Sequence, residues 1–242
     1  MRTLGLIGGT SWHSTIEYYR YINQKVNDYF EDNTNPPLIV YTLNQSLIHQ
    51  LQRENNWEGI AELLIEAARS LEKAGVDMLM FCANTPHKVY HLVEQAIDTP
   101  ILHIADATAE SLKSKNIKKA CFLGTKYSMV ENFITKRITT NNIEVITPNK
   151  DNIIHELHRI IQEELTYGNI IPQSKDYVIS IIQSFVKIGA EGVILGCTEF
   201  PLMIKETDLQ IPIFNTTEIH ANAGANFILK DLKKIKTGYN KA

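Results

Sequence analysis

Cys197 is the residue whose type and place best suit it to chemistry. It follows a short apolar run at 193–195 and Gly196, and it is followed by Thr198 and Glu199. A thiol serves as a base when ionised and as an acid when protonated, which makes it suited to moving a proton on and off carbon. In α/β proteins the C-terminal end of a strand is where ligands bind. A helix starting just beyond Cys197 would lower the thiol pKa and favour thiolate. The competing reading is a buried structural cysteine, the commoner fate of a free thiol. What favours function is that Cys197 lies in one copy of a doubled motif. Residues 75–85 align without a gap on 189–199, each copy running from a helix-ending Gly and an acidic residue through a strand to a small polar cluster. Cys197 falls opposite Ala83, so a site drawing on both copies has unequal sides.

The remaining candidates cluster at similar strand ends. Cys82 precedes Ala83, and adjacent strand residues point to opposite faces. If Ala83 faces a site, Cys82 faces the sheet packing unless a bulge turns it inward. Gly8-Gly9-Thr10-Ser11 and Gly124-Thr125-Lys126-Tyr127-Ser128 supply backbone N–H groups and hydroxyls at strand-to-helix turns, which hold anions such as a carboxylate. Neither matches a dinucleotide or P-loop pattern. Asn84, Thr85 and Thr198 add neutral donors suited to an α-carboxylate and an amine, and Glu199 suits a substrate ammonium. His87 and His220 are candidates for orienting a base or donating a proton, or for ordinary caps and core donors. Ser128 reads as a cap. Cys121 opens a strand at the wrong end and reads as structural. His155 and His158 have helical spacing without a third ligand, so no metal site is expected.

The elements that must position these groups alternate. Strands are expected at 4–7, 38–43, 78–82, 101–104, 120–123, 144–146, 193–195 and 213–214. Helices are expected at 14–29, 57–74, from 86, 105–115, from 128, 152–167, 175–188 and from 216. Such alternation predicts parallel sheets with helices on both faces. Leu6-Ile7-Gly8-Gly9-Thr10 is also similar in kind to Phe122-Leu123-Gly124-Thr125. The expected architecture is therefore two pseudo-symmetric α/β lobes, 1–98 plus 209–242 and 99–208, each a mainly parallel sheet flanked by helices, with the active site in the cleft between them.

Bulk properties narrow the function. The chain has 242 residues and a formal charge of −3, without a long basic run, so nucleic acid is not an expected partner. The Lys-rich stretch 230–241 reads as a solvated helix end. No apolar run approaches the roughly 20 residues that cross a bilayer. The three cysteines lack metal-type spacing, consistent with reduced thiols in the cytoplasm.

Gly-Gly-Thr-Ser-Trp at 8–12, Ala-Asn-Thr-Pro-His at 83–87 and Gly-Cys-Thr-Glu-Phe at 196–200 resemble the aspartate/glutamate racemase family across nearly the whole chain. The resemblance implies a two-lobed fold, a homodimer, and racemisation without pyridoxal phosphate or any other cofactor. Two cysteines would flank the α-carbon, one removing the proton and the other returning it. Cys197 matches the second of them. The resemblance also assigns Asn84, Thr85, Thr125 and Thr198 to the substrate carboxylate and amine. It adds Gln52 as a substrate contact and Arg53 as a partner for a side-chain carboxylate; Lys126 and Arg137 are further cations for that role. Two positions depart from the family pattern. The first cysteine falls on Ala83, and the Asp that usually precedes Thr-Thr is Asn215.

The leading expectation is an amino-acid racemase with Cys197 on one face and Cys82, or a water held by Asn84 and Thr85, on the other. An enzyme like the arylmalonate decarboxylases, which need a single thiol, is the alternative that Ala83 favours. A non-catalytic amino-acid binder is the third reading, and the retained Cys197-Thr198-Glu199 weighs against it.

Overall fold

A computed structural model of the chain describes residues 1–239 and divides it into two units, 1–103 with 220 onward, and 104–219. The sequence boundaries at 98/99 and 208/209 fall five and eleven residues short of these. The later one moves because the strand at 213–215 pairs inside the second sheet. Residues 240–242 lie outside the description, as do most side chains of the Lys-rich stretch 230–241.

The first unit contains strands β1 (Leu4–Gly8), β2 (Leu38–Thr42) and β3 (Met78–Phe81) in the order β2-β1-β3, all parallel. Its helices are α1 (Trp12–Phe30), α2 (Gln45–Arg53), α3 (Trp57–Lys73) and α4 (Tyr90–Glu94), the last preceded by a 3-10 turn, Thr85–Val89. Strand alternation sorts its core onto two faces. Ile7, Leu79 and Phe81 pack with Leu64, Ala68 and Leu71 of α3. Leu4, Leu6, Met80 and Cys82 pack on the other face with Tyr18, Ile22 and Val26 of α1 and with Ala221, Ala225 and Ile228.

The second unit has strands β4 (Lys119–Gly124), β5 (Glu144–Ile146), β6 (Gly192–Gly196) and β7 (Ile213–Asn215), ordered β5-β4-β6-β7 and again parallel. Helices α5 (Ile104–Ser114), α6 (Lys126–Val130), α7 (Thr135–Thr139), α8 (Asp151–Arg159), α9 (Pro172–Val186) and α10 (Phe200–Met203) belong to it. Its core is one cluster running from Ile104 to Phe214. Helix α11 (Thr216–Tyr239) starts here and carries the chain back to the first unit.

The internal repeat is physical. Leu6 pairs with Met80 and Ile7 with Phe81, while Phe122 pairs with Ile194 and Leu123 with Leu195. These pairs are the ones the ungapped alignment makes equivalent. Each copy starts alike as well. Gly75 and Gly189 end a helix at positive φ (78° and 96°), the left-handed conformation that glycine adopts without strain. The acidic residue after each one clamps the next strand's entry. The Asp77 carboxylate accepts the Thr3 N–H at 2.6 Å, and the Glu191 carboxylate accepts the Lys118 N–H at 2.6 Å.

Three expectations shift. The stretch 101–104 makes only an isolated bridge, Leu79 to Ile101, because α5 already begins at Ile104. The helix expected over 152–167 is α-helical to Arg159, widens into a π-helical turn at Ile160–Glu164 and tightens into a 3-10 turn before Gly168. Helix α2 escaped the periodicity; its signal was the cap Asn44, whose Oδ1 accepts the N–H groups of Ser46 and Leu47.

Gly196 sits where a Cβ would lie 2.2 Å from the Phe122 ring. Overpacking of this kind costs about 1–3 kcal/mol. Gly196→Ala should lower the chemical-denaturation free energy by that amount; an unchanged midpoint would show that the ring moves aside freely.

Candidate active site

In the second unit, β6 delivers Cys197 one residue past its last ladder position. Cys197 is 7% exposed, and its Sγ–H donates to Glu199 Oε2 at 2.8 Å. The Thr198 hydroxyl donates to the same oxygen at 2.9 Å. Burial first, and then the negative charge and hydrogen bond of Glu199, push the Cys197 thiol well above its ordinary range. This reverses the expectation of a helix-lowered thiol. The helix beyond it, α10, is only four residues long, too short to develop a strong dipole, and a carboxylate stands beside the sulfur. The resting group is therefore a protonated thiol hydrogen-bonded to a carboxylate. Glu199 is placed as the partner of the thiol as much as of any substrate amine.

Thr125 caps α6 at the end of β4, and its hydroxyl lies 3.3 Å from Ser128 Oγ. Ser128 is buried inside α6 and donates to the Thr125 carbonyl at 3.0 Å, a bond back to the preceding turn and not the cap that was expected. Asn215 opens α11, its Oδ1 accepting from the N–H of Thr217 at 3.1 Å and Glu218 at 3.4 Å. An uncharged amide performs that capping role. The buried Thr216 hydroxyl donates to the Leu195 carbonyl at 3.0 Å and ties this cap to β6.

In the first unit, Ala83 follows β3 and is partly exposed, while Asn84 (5%) and Thr85 (8%) are buried at the start of the 3-10 turn. The Ser14 hydroxyl donates to the Cys82 carbonyl, and His87 Nδ1 lies 3.0 Å from the Ala83 carbonyl. Thr10 is buried after Gly9. Gly9 has φ 84°, and a Cβ there would meet the Leu43 carbonyl at 2.1 Å, so only glycine makes this turn.

Cys82 is 2% exposed and packs in the apolar cluster with Tyr18 and Met80, where burial pushes its thiol up. The strand alternation holds to the last residue, without a bulge to turn the thiol away from the core. The equivalent position in the second unit is Gly196, facing Phe122. The thiol of Cys121 is buried in its own core and raised to about 12 by desolvation.

Gln52 is half-buried near the C-terminal end of α2, and Arg53 is exposed. Arg137, one of the cations considered for a substrate carboxylate, is already engaged, its guanidinium gripping Asp106 at 2.6 and 2.7 Å. Lys126 Nζ lies 5.2 Å from the Tyr127 ring centroid. Among the described residues no cluster of His, Cys, Asp or Glu could hold a metal, and no helix is long and apolar enough to cross a membrane. Sequence reasoning missed the grouping of His87, His103 and His220, whose rings lie within 6 Å of His87 in one core although the residues are far apart in the chain.

Comparison with known proteins gives a consistent result. The sequence model described as Asp/Glu/Hydantoin racemase matches residues 7–224. The broad specificity amino-acid racemase RacX of Bacillus subtilis is 24% identical over 221 residues, covering 88% of this chain and 92% of that protein. A solved Asp/Glu racemase candidate from Yersinia pestis superposes with a TM-score of 0.89 at 43% identity, covering 95% of this chain and 100% of its own. An aspartate racemase homologue from Pyrococcus horikoshii gives 0.83 at 38%, covering 94% and 99%.

The Cys197–Glu199 contact yields a chemical prediction. Iodoacetamide should label Cys197 slowly at pH 8, and labelling should rise with pH as the thiolate forms. Glu199→Gln removes the neighbouring charge, one of the causes that raise the thiol after burial, and should speed labelling. Peptide mass spectrometry reads the rate; equal rates in the two proteins would remove Glu199 as a cause.

Proposed function

The chain belongs to the Asp/Glu/Hydantoin racemase family, and from that premise we propose that it moves the α-proton of an amino acid with Cys197 as acid and base, without a cofactor. The observation that carries this reading is the thiol held against a carboxylate at the end of β6. Glu199 accepts the proton of Cys197 and the thiolate takes the α-proton; return by the same thiol regenerates the starting isomer, and inversion takes a proton supplied from the opposite face. Asn84, Thr85, Thr10, Thr125 and Thr198 are the neutral donors that fix carboxylate and amine. Gln52 is a further substrate contact, drawn from the family resemblance.

The opposite face lacks a thiol. Ala83 occupies the place that the repeat makes equivalent to Cys197, and the Cys82 thiol belongs to the core. Removing a placed acid or base costs on the order of 10²–10⁴-fold. Inversion needs that face in both directions, as donor in one and acceptor in the other, so it is slow both ways, with a water held by Asn84 and Thr85 in that role. The same asymmetry supports a second reading, protonation of a carbanion left by decarboxylation, where one thiol suffices. All three cysteines are free and buried, which supports a cytoplasmic setting. The chain is proposed to form a homodimer, as the family resemblance implies; light scattering checks this.

Proton NMR in D₂O with L- and D-amino acids is the deciding experiment. Loss of the α-proton signal with inversion establishes a racemase. Loss with retention, or carbon dioxide release from a substituted malonate, supports one-faced chemistry. Cys197→Ser should depress exchange by about 10²–10⁴-fold, and exchange that survives this change would sink the thiol mechanism. Ala83→Cys restores a thiol to the equivalent position and should raise the rate of inversion above that of the wild type. An unchanged inversion rate would show that position 83 does not face the α-carbon.

A further inference from the structure

The loop that presents Asn84 and Thr85 is fastened from beneath through three consecutive carbonyls. Ser14 donates to that of Cys82. His87 Nδ1 lies 3.0 Å from the Ala83 oxygen and 3.2 Å from the Asn84 oxygen. A carbonyl only accepts, so the His87 proton sits on Nδ1 and is shared between the two. With alanine at 83, that residue has no side-chain polar group to hold its peptide planes. The His87 N–H also donates to the Asn84 carbonyl at 3.1 Å, so the imidazole is the side-chain group shown on the Ala83 carbonyl and a second donor beside that of Asn84.

His87 is itself built into a buried cluster. His87, His103 and His220 are 2%, 3% and 0% exposed. The His87 ring centroid lies 4.4 Å from that of His103 and 5.9 Å from that of His220. His220 Nε2 lies 2.9 Å from the Leu102 carbonyl and therefore carries the proton, leaving Nδ1 to accept from the Tyr18 hydroxyl at 2.8 Å. Tyr90 packs on His103 with ring centroids 4.6 Å apart and donates to Glu94 at 2.7 Å. Phe81 meets the His87 ring edge-on at 5.1 Å. The titratable groups around the cluster are thus Tyr18 from α1, Cys82 after β3, Tyr90 and Glu94 from α4, His103 before α5 and His220 from α11. Burial, then His103 and His220, hold His87 well below the ordinary histidine range.

We propose that His87 is a positioning residue of the α-proton reaction: as a neutral imidazole protonated on Nδ1, it locks the Ala83 and Asn84 carbonyls and thereby sets Asn84 and Thr85 for the substrate. This inference depends on the racemase reading above. It assigns His87 no contact with substrate. A misplacement of about 1 Å in such a loop can cost on the order of 10²-fold in rate.

The test compares wild type, His87→Ala and His87→Asn by α-proton exchange in D₂O, with thermal midpoints and long-range ¹H–¹⁵N spectra of the histidines. His87→Ala should lose about 10²-fold in kcat. His87→Asn keeps an N–H near the Nδ1 position and should recover most of that loss, which a purely space-filling role for the ring would not allow. If His87→Ala does not fold, the asparagine variant and the wild-type spectra decide. Those spectra should show a neutral Nδ1–H ring for His87 from about pH 8 to below the ordinary histidine pKa of about 6.5. An Nε2–H tautomer, titration near that value, full activity in His87→Ala, or an asparagine variant as slow as the alanine one would each overturn the proposal. Wild-type protein that exchanges no α-proton overturns the functional reading instead, and measuring it first separates the two failures.

Discussion

Parallel pairing of a strand ending in Gly with its neighbour, in the same register in both sheets, is the constraint on which this molecule is built. The register is the same in both sheets, but the second ladder runs one pair further, to Gly124 with Gly196, where the first ends at Ile7 with Phe81. Beyond Phe81, Cys82 still packs into the core, and the next position, Ala83, is the one equivalent to Cys197, which follows Gly196 directly. A slip of one residue would exchange every face of the strand, putting Cys82 at the loop and Ala83 in the core. Packing forbids that slip, because Leu6, Met80 and Cys82 already fill one face of the first sheet and Ile7, Leu79 and Phe81 the other.

Much of this was legible in the residues. The strand–helix alternation and the helix-ending glycines at 75 and 189 follow from local patterns and are found in the structure, and the ladder registers pair the strands that lead to 83 and 197 alike. The facing of Cys82 followed from period-two alternation alone. What escaped has a common cause: it depends on contacts between residues distant in sequence or on small local energies. The state of the Cys197 thiol hangs on the rotamer of Glu199, two residues away, which no spacing rule specifies. The histidine core gathers positions 87, 103 and 220 through the return of α11, and Arg137 is claimed by Asp106 across a turn of tertiary structure. The π-helical turn at Ile160–Glu164 differs from a regular helix by one widened turn, below the resolution of any periodicity argument.

The electrostatic character of the two loops differs as sharply as their chemistry. Around Cys197, an anionic acceptor raises the thiol and keeps a proton close by. Around Ala83, the buried His87 ring and a serine hydroxyl hold backbone carbonyls. On the proposed function, one end moves a proton and the other holds geometry. A low-dielectric setting strengthens both kinds of interaction, and it penalises any charge that lacks a partner. That division of labour accounts for why a carboxylate accompanies the thiol while the described histidine contacts are with carbonyls, hydroxyls and other rings.

The acidic clamps, Asp77 on Thr3 and Glu191 on Lys118, sit at the opposite edge of each sheet from these loops. The two copies have kept the same fastener at one edge while their reactive edges have drifted to different residues. Inheritance of the fold and inheritance of the reaction thus fall on separate ends of the same strands. A substitution at 83 or 197 therefore leaves the clamps that bring the strands into each sheet untouched.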